Sequence, residues 1–177
     1  MGQRLGNLYE RLQDELKKNL FLYVPKEKQR FYIEPHDRFS LDTDCFPSAK
    51  YEIEEAGKCY AAGRNTACVL HLMRILELGL NALAKHFNVP YQHVNWDQII
   101  NKLPEKIKAI EGMVPKPEQW RADRQFYSEV ALHFQFLKDA YRNYAMHVHE
   151  TYDESRAFSL FMYTREFMRS LATRVHE

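Results

Sequence analysis

The sequence predicts an all-α domain, a bundle of four principal helices with accessory helices. Apolar residues recur at spacings of three and four in several long segments, and no segment shows the alternation typical of a half-buried strand. Apolar residues make up 45% of the chain, with only six glycines and seven prolines, so a core can form without disulfides or metal. The length of 177 residues fits one domain, with residues 1–47 as an N-terminal region and residues 48–177 as the helical core.

The N-terminal region is predicted to be a helix followed by an irregular arm. Five leucines recur at spacings of three and four over residues 3–20, which indicates an amphipathic helix. Residues 21–47 are rich in aromatic side chains and contain prolines at positions 25, 35 and 47, so they cannot form one continuous helix. We expect the aromatic residues of this arm to pack onto the body of the domain or onto a second subunit.

The helical core begins with a helix over residues 49–62, which Ser48 is predicted to cap. Residues 59–87 contain the strongest helical pattern in the chain, and Gly63 is expected to kink or separate these two segments. A shorter helix is predicted over residues 96–110, capped by Asn95, with Pro104 favouring an early break.

The C-terminal half is predicted to hold a long helix over residues 120–148 and a last helix capped by Asp153. Both this long helix and residues 59–87 have wide apolar faces. We therefore expect them to be two central helices that pack side by side.

The long helix places a polar set on the face opposite its apolar arc. Arg142, Asn143 and His147 lie on this outer face together with Asp139, where polar residues are commonly just solvated. Asn143 and His147 are four residues apart and can touch, whereas Arg142 and His147 are about 140° apart on an ideal helix. One site that uses both therefore needs a swung side chain, a local distortion or residues from two copies.

A second polar strip lies along residues 67–86. Its members are His71, Arg74, Glu77, Asn81 and Lys85. One interpretation is a solvated edge on which Arg74 and Glu77 form a weak ion pair three residues apart. The other is that the strip lines the same cleft as Arg142 and His147, with Glu77 orienting one of them.

The composition of the chain limits which functions and which cellular compartment we expect for the protein. The net charge is +1, so no long-range field gathers polyanions and any nucleic-acid contact must be local. Three cysteines without a C-x-x-C pair fit neither a disulfide framework nor a thiolate zinc site. The N-terminal segment is charged and no apolar run approaches the ~18 residues of a membrane span, so we expect a cytoplasmic protein.

Metal and cysteine chemistry are not expected. His147, His149 and Glu150 could supply metal ligands, but positions two apart on a helix diverge by about 200°. Cys59 and Cys68 lie in apolar helical surroundings, where cysteine usually serves as filler. We therefore predict no metal and no cofactor.

Several segments together resemble one family. The run KDAYRNYAMHVHETYDE, residues 138–154, contains the R-N-x-x-x-H form of the R-x4-6-H motif that marks the HEPN superfamily of small helical domains. Residues 59–87, with HLMRILE, and residues 161–174, FMYTREFMRSLATR, resemble an uncharacterised group of bacterial HEPN-like proteins. The resemblance covers most of the chain from Phe46 onward, and FLYVP at residues 21–25 is also similar.

The resemblance implies a function as well as a fold. Active members are metal-independent endoribonucleases whose Arg and His meet across a homodimer, often in toxin–antitoxin systems or phage defence. The motif then assigns the catalytic positions to Arg142, Asn143 and His147. Some members are inactive and serve as modules that bind a nucleotide or a protein, which is the alternative function. We expect no fused nucleotidyltransferase or effector domain, which leaves the biological circuit open, with an antitoxin or regulatory protein as an expected partner.

The predicted chemistry is physically consistent. His147 can act as general base or acid because imidazole titrates near neutral pH. Arg142 offers a planar, always-charged fork that matches phosphate oxygens, and Asn143 would orient His147 or the phosphate. Supporting or substrate-binding positions are predicted at His71, Arg74, Glu77, Lys138 and Asp139.

Overall fold

The computed structural model describes residues 2–41, 44–90, 95–145 and 151–177, and in these residues the chain is helical with no β-strand. The all-α prediction is therefore confirmed. The α-helices are α1 (Gly2–Lys17), α2 (Gln29–Ile33), α3 (Pro35–Phe39), α4 (Lys50–Ala61), α5 (Asn65–His86), α6 (Trp96–Ile100), α7 (Leu103–Glu111), α8 (Trp120–Leu137), α9 (Asn143–Ala145) and α10 (Glu154–Leu171). A π-helical turn, Lys138–Arg142, connects α8 to α9.

Helix α5 is the centre of the fold. It buries side chains around most of its circumference and packs mainly against α4 on one side and α10 on the other. By length and composition α5 passes as a membrane span, but 61% of its apolar window is buried inside the protein, as in the core helix of a bundle. Gly63, at φ 69°, allows the sharp turn between α4 and α5.

The predicted side-by-side packing of residues 59–87 and 120–148 is wrong. Helix α8 packs mainly against α7, and its inner face also meets α10, where the Phe134 and Phe167 rings lie 4.9 Å apart. Near the end of α5, Phe87 contacts α8 through the Tyr127 ring at 4.7 Å. The apolar face of α8 is thus shared between two other partners, which periodicity alone does not reveal.

The arm at residues 21–47 is more regular than predicted. It contains α2, α3 and two 3₁₀ turns, Lys26–Lys28 and Pro47–Ala49. Pro35 is the first residue of α3, where a missing N–H costs nothing, so this proline starts a helix instead of breaking one. Phe31, Phe39 and Phe46 belong to the core, whereas Phe21 and Tyr23 are exposed.

The predicted helix caps have mixed outcomes. The Asn95 side chain accepts from the Asp97 N–H, and the Asp153 side chain accepts from the Arg156 N–H, so both caps are confirmed. Ser48 is not a cap, because it lies within a 3₁₀ turn and its own N–H donates to Glu177 Oε2 at 2.9 Å.

Candidate functional site

The π turn reorients the segment that contains the predicted catalytic residues. A π turn adds one residue to the helical register. The faces that an ideal helix over residues 120–148 assigns to its side chains are therefore incorrect after Leu137. Tyr144 lies seven residues after the buried Leu137, so an ideal helix would place both on the core face, yet Tyr144 is 51% exposed and Lys138 is buried. A local distortion was one of the three ways in which Arg142 and His147 could belong to one site, and the π turn is such a distortion. His147 itself lies outside the described residues.

Arg142, the last residue of the π turn, lines a cleft of about 630 Å³. Its guanidinium carbon lies over the buried Trp96 ring, 5.6 Å from the ring centroid, which is a cation–π contact. Within the described part of the chain, no carboxylate lies within ion-pair distance of Arg142. Arg142 is thus a half-buried, oriented cation that is available to an anion.

Part of the polar strip on α5 lines the same cleft as Arg142, whereas His71, Asn81 and Lys85 are not among the lining residues. Arg74 and Glu77 both border it together with Arg142. Within the described part of the chain, Arg74 and Glu77 do not form the ion pair that the first interpretation expected. Arg74 Nη2 instead lies 2.8 Å from Glu52 Oε1 on the neighbouring helix α4.

Glu52 is a site residue that the sequence interpretation missed. It is only 5% exposed, and its second oxygen lies 2.7 Å from His71 Nδ1. An ionised carboxylate can only accept, so His71 must hold its proton on Nδ1 in this contact. A signal did exist, because Glu52 lies three residues after the buried Ala49 and four before the buried Ala56, on the core face of α4.

Glu77 orients an aromatic ring in the described structure. Its Oε2 accepts a hydrogen bond of 3.3 Å from Trp96 Nε1. Trp96 in turn lies beneath the Arg142 guanidinium. The contacts therefore run from Glu77 through Trp96 to Arg142, so a carboxylate helps to hold the cation without neutralising it directly.

Three further predicted residues lie along or near the π turn. Lys138 Nζ is paired with Asp97 and lies 3.5 Å from Asp139 Oδ1, and the hydrogen bond that Lys138 donates to Asp97 raises the pKa of Lys138. Its ammonium is thus already partnered inside the fold, which does not favour a phosphate contact. Asp139 also accepts from Gln135 Nε2 at 2.5 Å. Asn143 is exposed at the first position of α9.

Other chemistry in the described residues is limited. No group of three His, Cys, Asp or Glu residues there is arranged to hold a metal ion. Burial raises the pKa of the Cys68 thiol to about 12 and also raises that of Cys59, so both stay protonated at neutral pH. Their thiolates are therefore too scarce for nucleophilic catalysis.

The comparison with known proteins gives no match: no protein-family model, no curated protein and no solved structure corresponds to this chain.

Proposed function

We propose that this chain is a metal-independent endoribonuclease of HEPN type that acts in the cytoplasm. The supporting observation is Arg142, an oriented guanidinium without a described carboxylate partner, which faces a cleft shared with Arg74. A planar cation of this kind suits a phosphate or phosphorane, which presents paired oxygens. The resemblance of residues 138–154 to the R-N-x-x-x-H motif supplies the proton-transfer partner, His147.

The proposed reaction needs no metal because RNA contains its own nucleophile. A base removes the proton of the 2′-OH, and the 2′-oxygen attacks the adjacent phosphorus. The bond to the 5′-oxygen then breaks, and an acid protonates this leaving group, which gives a 2′,3′-cyclic phosphate and a free 5′-OH. His147 would transfer these protons, Arg142 would stabilise the charge on the phosphorane, and Asn143 would orient His147 or the phosphate.

The charges of the cleft favour recognition of RNA through local contacts and not through strong long-range attraction. Arg74 is paired with the buried Glu52, and the cleft also holds the carboxylate of Glu77, which accepts from Trp96 and forms no described ion pair with Arg142. The whole chain has a net charge of only +1. We therefore expect weak intrinsic affinity for RNA and only a gentle loss of activity as salt rises.

The proposed enzyme acts as a homodimer, since a helix that meets its copy at a twofold axis would bring Arg142 of one chain near His147 of the other. A toxin or phage-defence role, with an antitoxin or regulatory partner, belongs to the same proposal and rests on the resemblance. Light scattering at micromolar concentration tests the first part, and a monomeric mass would count against it.

The second candidate function is a non-catalytic module that binds a nucleotide or a protein. One observation favours it: the cleft also has apolar walls from Leu70, Met73 and Leu78, which suit a bound base or side chain as well as a phosphate. The two candidates differ in whether a covalent bond of RNA is broken.

The decisive experiment measures cleavage of single-stranded RNA by the purified chain in EDTA. We expect activity that Arg142→Ala and His147→Ala each reduce by ~10²-fold or more, with a smaller loss for Asn143→Ala. Arg121→Ala is the matched control, because Arg121 also lies over a tryptophan ring, that of Trp120, at 5.3 Å but outside the cleft.

Two results would overturn the ribonuclease proposal. The first is folded Arg142→Ala and His147→Ala variants that cut RNA as fast as the parent. The second is a parent that never cuts RNA but binds a nucleotide tightly, which would establish the binding module instead. Circular dichroism of each variant separates loss of chemistry from loss of fold.

A further inference from the structure

The cleft that Arg142 lines contains a second charged group with free capacity, the carboxylate of Glu77. Its Oε2 accepts from Trp96 Nε1 at 3.3 Å, and no other hydrogen bond or ion pair of Glu77 occurs among the described residues. An ionised carboxylate has about four positions that accept a hydrogen bond, so Oε1 and part of Oε2 are still free. Glu77 is half-buried and borders the cleft. The cleft therefore holds an oriented acceptor that suits a ligand with N–H donors.

The wall beside Glu77 is apolar. Leu70, Met73 and Leu78 lie on the same helix, α5, and line the same cleft. An apolar wall next to a hydrogen-bonding group suits a nucleobase, which is apolar on its faces and polar along its edge. The cleft volume of about 630 Å³ also lies within the range of roughly 300–1,000 Å³ that is typical of small-molecule sites. The cleft can therefore accommodate a base in contact with Glu77.

The donors at each base edge decide which base Glu77 favours. Guanine presents two adjacent donors, N1–H and the 2-amino group, which match the two oxygens of a carboxylate. Adenine and cytosine each present one amino group beside a ring nitrogen that only accepts, and uracil presents one N–H between two carbonyl oxygens. These acceptors would face the negative carboxylate of Glu77. Guanine is thus the base that complements Glu77 best.

Arg142 provides the contact for a phosphate in the same cleft. Its guanidinium lies over the face of the Trp96 ring, and Glu77 accepts from the edge of the same ring. The cation and the carboxylate are therefore separated by a single indole. A guanine nucleotide has the complementary arrangement, because its anionic phosphate and its donor edge are separated by the sugar. A free base without a phosphate would leave Arg142 without an anion.

We propose that the cleft binds a guanine nucleotide, with the phosphate at Arg142 and the base edge at Glu77, so that Glu77 determines base specificity. The inference rests on the proposed function in one respect: the bound phosphate is the one attacked in RNA, and the bound guanosine supplies the 2′-OH. Holding the base of that nucleotide orients its 2′-oxygen toward the phosphorus. Cleavage would then follow guanosine and leave a guanosine 2′,3′-cyclic phosphate end.

The first test measures binding of the four nucleoside 3′-monophosphates to the full chain by isothermal titration calorimetry, up to millimolar concentration. We expect guanosine 3′-monophosphate to bind ~10-fold or more tightly than uridine 3′-monophosphate, as a bidentate contact to a base edge provides. Inosine 3′-monophosphate lacks the 2-amino group and should lie between the two. This ranking needs no variant, so the proposal stays testable even if a substitution prevents folding.

The second test separates base recognition from a structural role of Glu77. The amide of Glu77→Gln keeps an oxygen for Trp96 Nε1 but presents an NH₂ group to the base. Guanosine 3′-monophosphate should therefore bind this variant ~10-fold more weakly, whereas uridine 3′-monophosphate changes little. Arg142→Ala should weaken all four nucleotides alike. Glu129→Gln is the matched control, because Glu129 also accepts a side-chain hydrogen bond, from Gln125 at 2.9 Å, but lies outside the cleft.

Four outcomes would overturn the proposal. These are no binding of any nucleotide at millimolar concentration, equal binding of all four, a folded Glu77→Gln variant that keeps the preference for guanine, and a Glu77→Gln variant that weakens all four by the same factor. The last result would mean that Glu77 acts only by holding Trp96.

No bond is broken in these titrations, so this inference and the ribonuclease proposal can fail separately. RNA cleavage without a preference for guanosine would reject the inference and leave the ribonuclease. Binding of guanosine 3′-monophosphate that depends on Glu77, without cleavage of RNA, would reject the ribonuclease and leave guanine recognition in a binding module. Circular dichroism of each variant checks that it is folded.

Discussion

We predict that Glu52 stabilises the fold and the cleft that its partner Arg74 lines. Glu52→Gln tests this, because the two side chains have nearly the same shape. The carboxylate makes two charge-assisted contacts, one to His71 and one to Arg74. An amide retains only one acceptor oxygen, which should stay on His71, whose side chain is 23% exposed. Arg74, at 67% exposed, would then face an NH₂ group and swing into water.

The loss of stability in Glu52→Gln depends on which of the two contacts, to His71 or to Arg74, is lost. Hydrogen bonds to charged groups contribute ~1.5–3 kcal/mol each, but the exposed Arg74 recovers much of its share by hydration. We therefore expect Glu52→Gln to lower the free energy of unfolding by about 1–2 kcal/mol, which for a chain of this size lowers Tm by roughly 2–8 °C. Urea and thermal unfolding followed by circular dichroism measure both quantities.

The control is Glu54→Gln on the same helix, which removes a more exposed contact of 2.5 Å to Lys58. Because that pair is largely solvated, we expect little or no change in stability. Equal losses in the two variants would refute the reasoning, since burial and the double contact of Glu52 would then have no consequence.

Three further predictions concern packing, thiols and pH. Gly57→Ala should destabilise the protein by about 1–3 kcal/mol in urea unfolding, because a Cβ there would lie 2.5 Å from a backbone oxygen. Gly6→Ala is the control, and because Gly6 has open space around it, this change should be neutral or stabilising. Native Cys68 should resist iodoacetamide at pH 8 and react only after unfolding, and rapid labelling of the folded protein would contradict this. Burial lowers the pKa of His86, so its protonation favours the unfolded chain and stability should fall as pH drops below about 6.5; Tm should decline less steeply for His86→Gln than for the parent.

The helices could be predicted because their signals are local. Leucine spacing, Asn95 and Asp153 act within a few residues, and these predictions are confirmed in position and type. The region around Pro35 and Ser48 was misjudged for a related reason. A proline is compatible with the first turn of a helix, and a serine within a 3₁₀ turn is not free to cap, so neither residue type decides its role without the adjacent chain geometry.

The candidate site could be predicted only in part, because its contacts join separate helices. The strip on α5 was visible as a pattern, but the partner of Arg74 lies on α4 and the ring beneath Arg142 lies at the start of α6. No spacing within one helix specifies such pairs. The π turn also has no obvious sequence signal, since its residues KDAYR contain neither glycine nor proline.

The π turn also affects how related sequences should be aligned. A one-residue deletion within Lys138–Arg142 would let an ordinary helix continue, and it would rotate everything after it by about 100° relative to α8. A homologue with that gap could retain the letters R-N-x-x-x-H yet point its arginine away from the tryptophan at position 96. Gap placement in these five residues is therefore a better criterion for a shared site than the motif alone.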